Sequence, residues 1–336
     1  MTEAKVPPVE TAGCVAATRD VRPWSPAGHI GTLTVMTAAH TRPRATENGA
    51  PEQERPSLDA LLPPAMAREA EENGVAKAAM PAVRMFTLAV LAGAFIALGS
   101  VFATVATAGA QGAIGYGPSR VLGGAVFSLG LVLVIVGGAE LFTGNALIVM
   151  AWTARRVRAR AVLRNWGIVY AGNFAGAIAT AVLVHASGIA RNGSGAVGRQ
   201  ALDIASAKTS LGLGEAFARG VLANALVCLA VWLCLSARTV ADKILAIVLP
   251  ITAFVAAGFE HSIANMYFLP IALFLKAGGT DSFWAAADTS PDAYGDVTWG
   301  GFLAGNLVPV TLGNLVGGVV LVGLVYAFVY LRPDER

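Results

Sequence analysis

Residues 244–275 read ILAIVLPITAFVAAGFEHSIANMYFLPIALFL, and this stretch decides the fold. It is apolar from end to end apart from Glu260, His261 and Asn265. One helical membrane crossing needs roughly 20 apolar residues, so the run is long for one straight helix and short for two. The ionisable pair falls at mid-length, and Gly258 stands two residues before it. Ionisable side chains in lipid are costly, and they face a cavity, a pore or a partner. The stretch therefore reads as two half-helices broken at GFEHS, with the break near mid-depth of a membrane.

The chain around it has the composition this reading requires. Of 336 residues 55% are hydrophobic and 13% charged, with a mean hydropathy of +0.63, which excludes an ordinary soluble domain. The 38 glycines suit close helix packing and interrupted helices. The formal charge of +3 is carried largely by short basic clusters beside apolar runs. That pattern sets topology and argues against nucleic-acid binding. Cys14, Cys228 and Cys234 show no pairing pattern. His29, His40, His185 and His261 match no metal-ligand spacing. No redox or hydrolytic constellation is visible, so we expect neither an enzyme nor a bound metal or cofactor.

Residues 1–55 are rich in Pro, Thr, Glu and Arg and lack periodicity, which predicts a disordered cytoplasmic extension. Residues 1–80 contain no apolar core of signal-peptide length. Residues 56–82 predict an amphipathic lead-in helix, on the membrane surface or simply leading into the first crossing. Residues 83–331 predict a six-span channel domain, and 332–336 a cytoplasmic tail. The six spans are about 85–109, 121–154, 166–187, 213–236, 244–275 and 299–330. Residues 188–212 read as a polar loop between the third and fourth. Spans two and five are the broken ones. The arginine cluster at 155–164 places that loop inside by the positive-inside rule, although Arg191, Arg199 and Lys208 fall on the opposite side.

The two halves repeat. Gly138-x-Glu140-x4-Asn145 matches Gly258-x-Glu260-x4-Asn265, 120 residues on. Gly172-Asn173-x-x-Gly176 matches Gly313-Asn314-x-x-Gly317, 141 residues on. Three crossings per half reverse the second half relative to the first, giving an inverted three-span repeat whose breaks meet near the midplane.

With these motifs in place, the chain resembles the formate/nitrite transporter family over about residues 60–330. The resemblance is carried by FSLGLVLVIVGGAELFTGN (127–145), NWGIVYAGNFAG (165–176), Lys208, Asn224, GFEHSIANMYFLP (258–270) and GNLVPVTLGNLVGG (305–318). It implies an all-α, aquaporin-like membrane fold and a homopentamer in the inner membrane, with both termini cytoplasmic. Each protomer would carry its own pore for small monovalent anions. It also implies apolar constrictions at Phe127, Leu131 and Phe254, a break-loop threonine at Thr143, a pore histidine at His261, a loop lysine at Lys208 and a span-four asparagine at Asn224. Without the resemblance, Phe127, Leu131 and Phe254 are ordinary core or lipid-facing residues. The YFLP segment and the run from Val297 look most like the formate branch. Nitrite or hydrosulfide transport by the same family is the alternative. A water or neutral-solute channel is a more distant one, since paired Asn-Pro-Ala signatures are absent from the breaks. A non-transporting membrane scaffold or sensor, with its binding function in the extension, is a third.

The chemistry expected at the breaks follows. An unpaired carboxylate cannot enter an apolar constriction cheaply. His261 changes charge in the physiological range, so it is the candidate to give the anion a hydrogen bond or a proton. Its alternative role is to satisfy the exposed backbone of the break. Lys208 would concentrate anions at the entrance or be an ordinary surface lysine, Thr143 would offer a hydroxyl or a helix cap, and Asn224 would orient Lys208 or His261 or make an ordinary helix–helix hydrogen bond. Glu140 and Glu260 read as structural groups accepting N–H bonds from the broken backbone. Asn145, Asn265, Asn173, Asn306 and Asn314 read as packing and polar glue. Phe254, seven residues before His261, would sit about two turns, or roughly 10 Å, away on one continuous helix. The partners expected are formate or a related anion, protons, the bilayer and further copies of this chain, with no nucleic acid.

Overall fold

The break expected at Gly258 is where one helix ends and another begins. The computed structural model describes residues 59–332. The extension expected over 1–55 and most of the 332–336 tail lie outside the described residues. Helix α1 spans Pro63–Ala79, α2 Ala82–Thr107, α3 Tyr116–Gly137, α4 Gly144–Thr153 and α5 Ala159–Ser187. Then follow α6 Ala196–Thr209, α7 Leu213–Ser236, α8 Val240–Ala256, α9 Ser262–Gly278 and α10 Gly301–Tyr330. The described residues form no strand. Helices α2, α3, α5, α7 and α10 are each long and apolar enough to cross a membrane. The broken stretches are α3 plus α4 and α8 plus α9. Large apolar side chains such as Leu183, Leu245 and Leu249 stand on the outside, 69–75% exposed, which water penalises and lipid or a neighbouring subunit does not.

Both breaks turn on a left-handed glycine. Gly138 and Gly258 each have φ of +74°, a conformation that a Cβ would strain. The α8 run begins with a capping box, in which the Thr239 side chain accepts from the Asp242 N–H and the Asp242 side chain accepts from the Thr239 N–H.

Each half has the same pattern of packing. Helix α2 packs along α5, and α7 along α10; α3 packs against α8 across the halves. Glycine permits the closest contacts. A Cβ at Gly176 would lie 2.0 Å from the Val90 carbonyl oxygen, and one at Gly317 would lie 2.0 Å from that of Val221. Helix α10 differs from its counterpart α5: residues 301–307 and 316–324 are π-helical, while α5 is α-helical throughout.

One local expectation is corrected. Residues 188–212, read as a polar loop, contain the helix α6. Its Val197, Ala201, Leu202 and Ala205 form a buried face at helical spacing. The lead-in helix α1 buries Met66, Ala67, Ala70, Gly74 and Ala78 against the chain itself, chiefly α4. Helices α1 and α6 therefore occupy corresponding places, α1 preceding α2 to α5 and α6 preceding α7 to α10.

Candidate functional site

At the first break the Glu140 carboxylate accepts from Lys77 Nζ at 2.6 Å and from Asn145 Nδ2 at 2.7 Å. Asn145 Nδ2 also donates to Asn165 Oδ1, and Asn165 Nδ2 donates to the Lys77 carbonyl. At the second break Glu260 accepts from Lys208 Nζ at 2.9 Å and from Asn265 Nδ2 at 2.7 Å. Asn265 Nδ2 donates to Asn306 Oδ1, and Asn306 Nδ2 donates to the Lys208 carbonyl. The two circuits share these four bonds, and the second adds one from Asn306 Nδ2 to Glu260 Oε2 at 3.3 Å. Each keeps a buried carboxylate paired and hydrogen-bonded, the condition on which such a charge is tolerated.

The glutamates therefore brace the breaks in a different way from the one expected. Their carboxylates take side-chain donors, and the broken backbone is held by asparagines. Asn173 Oδ1 accepts the Phe142 N–H, and its Nδ2 donates to the Ala89 and Glu140 carbonyls. Asn314 does the same for the Ser262 N–H and the Gly220 and Glu260 carbonyls. The physical reason is reach. The acidic side chains point out of the break toward α1 and α6, where a cation offsets them. The neutral amides have the donor and acceptor pair that a broken backbone needs.

Between the breaks the matching stops. Thr143 Oγ1 lies 2.9 Å from His261 Nε2, joining the two breaks directly. Both residues are at most 3% exposed. His261 is also the N-cap of α9: its Nδ1 accepts the Ala264 N–H at 3.2 Å. Occupied as an acceptor, Nδ1 carries no proton, so the neutral ring carries its proton on Nε2. The ring then donates to Thr143 Oγ1, and the Thr143 hydroxyl proton is free to turn elsewhere. His261 thus satisfies the broken backbone through Nδ1 while its Nε2 faces Thr143.

Of the three residues expected to form a constriction, Phe127 and Phe254 come together beside this bond. The Phe127 and Phe254 rings meet edge to face with centroids 5.7 Å apart, and Phe254 is 5.9 Å from the His261 ring. Leu131 is 2% exposed. The roughly 10 Å expected for Phe254 and His261 is a rise along one continuous helix, and it does not apply here, because helical geometry stops between Ala256 and Ser262.

Lys208 has a partner that the sequence did not name, and Asn224 makes the interhelical bonds that were its alternative reading. Lys208 is ion-paired to Glu260 and lies 5.4 Å over the Phe268 ring, so it is not a lone cation. Asn224 Nδ2 donates to the Asn314 carbonyl at 2.6 Å and the Thr143 carbonyl at 3.3 Å. It positions the threonine of the first break; its bonds reach neither Lys208 nor the His261 ring.

A cavity adjoins each break. One of about 370 Å³ is lined by Phe127, Phe254, Glu260, His261, Lys208, Arg120 and Arg219, among others. The other, of about 500 Å³, is lined by Lys77, Glu140, Val134, Arg238 and Lys243 and lies beside α1. Sequence reasoning missed Lys77 and Asn165. The signal was present, since Lys77 precedes Lys208 by 131 residues and Asn165 precedes Asn306 by 141. Among the described residues no group of His, Cys, Asp and Glu could hold a metal ion.

Two broken crossings facing one another, each braced by a Lys-Glu-Asn circuit and meeting at an apolar collar, define a membrane channel architecture. The family model for formate/nitrite transporters matches residues 64–328, and the chain belongs to that family. It is 43% identical over 279 residues to the formate channel FocA of Escherichia coli, covering 83% of this chain and 98% of the relative. It is 38% identical over 275 residues to the formate channel FocA of Haemophilus influenzae, covering 82% and 96%. Among solved structures it resembles a pentameric formate channel with formate bound, at 40% identity and TM-score 0.69, over 75% of this chain and 98% of that one. An ion channel of the same family aligns at 27% identity and TM-score 0.66, over 80% and 99%. The all-α membrane fold read from the sequence is the fold of these neighbours, and the family consists of transporters and channels, not enzymes.

Proposed function

We propose that the chain conducts small monovalent anions, formate first, through a pore in each protomer of a homopentamer. The observation that carries this reading is the Thr143–His261 bond at the apolar collar, with a cavity adjoining each break. An anion reaching the collar loses water and needs donors in return. His261 Nε2–H and the Thr143 hydroxyl are the two donors positioned to supply them. Parting the Thr143–His261 bond to accept the anion exchanges one hydrogen bond for two charge-assisted ones.

The cap sets the proton chemistry. With Nδ1 held by the Ala264 N–H, His261 is a hydrogen-bond donor through Nε2, and giving that proton away outright would leave an imidazolate. Proton transfer to the anion therefore requires a second proton on Nδ1 and release of the Ala264 cap. Conduction by hydrogen bonding alone is the default behaviour of this geometry, and proton-coupled passage belongs to the uncapped state. The 43–38% identity to formate channels favours formate over nitrite or hydrosulfide. In the membrane, we place the α1 side and both termini in the cytoplasm, on the arginine cluster at 155–164.

The test is current across a planar bilayer with formate, nitrite, hydrosulfide, acetate and lactate at two pH values. The reading expects formate to carry the largest current. Flux of water alone, or no flux of any kind, contradicts it.

A further inference from the structure

The α6-side cavity holds three cations, and they are not equivalent. Lys208 is paired with Glu260, and Arg219 Nη2 with Glu215. Arg120 has no carboxylate partner among the described residues. Its Nε donates to the Ala256 carbonyl at 3.4 Å and its Nη2 to the Val255 carbonyl at 2.5 Å. Arg219 Nη1 donates to the Gly258 carbonyl at 3.2 Å. Both arginines therefore sit on carbonyls at the C-terminal end of α8, where the helix dipole is negative and would repel an approaching anion.

The two guanidinium groups converge. A Cβ built on Gly258 would lie 3.5 Å from Arg120 Nη2 and 3.6 Å from Arg219 Nη1, so these nitrogens are no more than about 7 Å apart. Like charges this close, beside a low-dielectric wall, repel unless something negative is shared between them. The carbonyls and Glu215 supply part of that. Three of the five N–H donors of Arg120 remain uncommitted. Arg120, Arg219, Phe127 and Phe254 line the same cavity, whose 370 Å³ exceeds what one formate occupies. The counterpart of Arg219 at the first break is Leu88, which accepts the Glu140 N–H as Arg219 accepts that of Glu260. The feature is therefore peculiar to one mouth of the pore.

We propose that Arg120 and Arg219 form an anion-holding subsite in the α6-side vestibule, outside the Phe127–Phe254 constriction. It accepts monovalent oxyanions with a planar or trigonal array of oxygens, including some too broad to pass the rings. Arg120 is its principal ligand, since a fork of free N–H groups suits such oxygens. The subsite rests on the anion-channel reading of this pore: it loads the pore from one side, and the constriction then selects.

Formate current in planar bilayers, with the two faces addressed separately, tests it. The probe is benzenesulfonate, permanently monovalent and broader than formate. In the unaltered protein it blocks formate current when added on the α6 side and not when added on the other. Arg120→Met raises the half-saturating formate concentration on that side about tenfold, with little change in maximal current, and abolishes the block. Arg120→Lys keeps the charge and recovers most of the half-saturation. Unchanged half-saturation and block in Arg120→Met overturn the subsite. So does an equal fall of maximal current in the Met and Lys variants, which marks a lost helix cap instead. Absence of any formate current in the unaltered protein overturns the channel reading and the subsite with it; current that persists with half-saturation and block unmoved overturns the subsite alone.

Discussion

The first break holds Glu140 between Lys77 and Asn145, and the second holds Glu260 between Lys208 and Asn265. Asn173 and Asn314 tie down the two backbones with the same three bonds. In these bonds the halves correspond. Around the Thr143–His261 contact they part at three positions. Where the second break has His261, the first has Leu141; where the first has Thr143, the second has Ile263. Where Gly93 brings α2 against the Asn173 carbonyl, Asn224 inserts an amide that donates to the Asn314 carbonyl and reaches Thr143. The repeated residues build a pair of braced breaks. The unrepeated ones place one imidazole and one hydroxyl 2.9 Å apart between them. Scaffold and chemistry are thus separable in this chain, and the separation can be tested.

The largest effect is expected from the ion pairs, and it should differ between the halves. Lys208 is 15% exposed and Lys77 is 32% exposed, while both glutamates are almost fully buried. Lys208→Met strands a buried carboxylate and should cost about 3–5 kcal/mol of stability in detergent denaturation. Lys77→Met should cost less, because water reaches that pair. Lys208→Met combined with Glu260→Gln should recover most of the loss. Equal losses for the two lysines would mean that burial does not govern these circuits.

Next come the close approaches, where the halves should behave alike. Gly176→Ala and Gly317→Ala each force a Cβ to 2.0 Å from a carbonyl oxygen. Each should destabilise by about 3 kcal/mol, the upper end for overpacking, and thermal unfolding would register both. A large difference between them would break the equivalence of α2–α5 and α7–α10 packing.

Flux should again separate the halves. Thr143→Val keeps the shape and removes the hydroxyl, and formate current should fall about tenfold, the scale of one hydrogen bond to a charged group. The matching change at the second break, Ile263→Val, should leave current nearly unchanged. The smallest effect is expected at Cys228, whose thiol donates weakly to the Thr143 carbonyl at 3.4 Å. Cys228→Ala should cost about 1 kcal/mol or less and leave current intact.

Much of this was legible in the chain. The Gly-x-Glu-x4-Asn spacing marks both breaks, because a left-handed glycine and a buried carboxylate stand out in an apolar run. What the sequence hid were partners brought together by the fold. Lys77 lies 63 residues from Glu140, in a helix whose own pattern is ambiguous. The helix α6 was hidden because Arg199, Asp203 and Lys208 interrupt a short buried face of small residues. The Phe254–His261 ring contact was hidden because it forms across the non-helical residues between Ala256 and Ser262. Motif residues declare that something is buried and polar; which donor meets which acceptor is set by tertiary contact.

The most direct test of the account gives the second break the residue that the first already has. His261→Leu should leave the proposed pentamer assembled in detergent and abolish formate current. His261→Asn, which keeps an acceptor for the Ala264 N–H, should restore the cap's stability without restoring wild-type current. Formate current at the wild-type level in assembled His261→Leu would contradict the claim that the departures from symmetry carry the function.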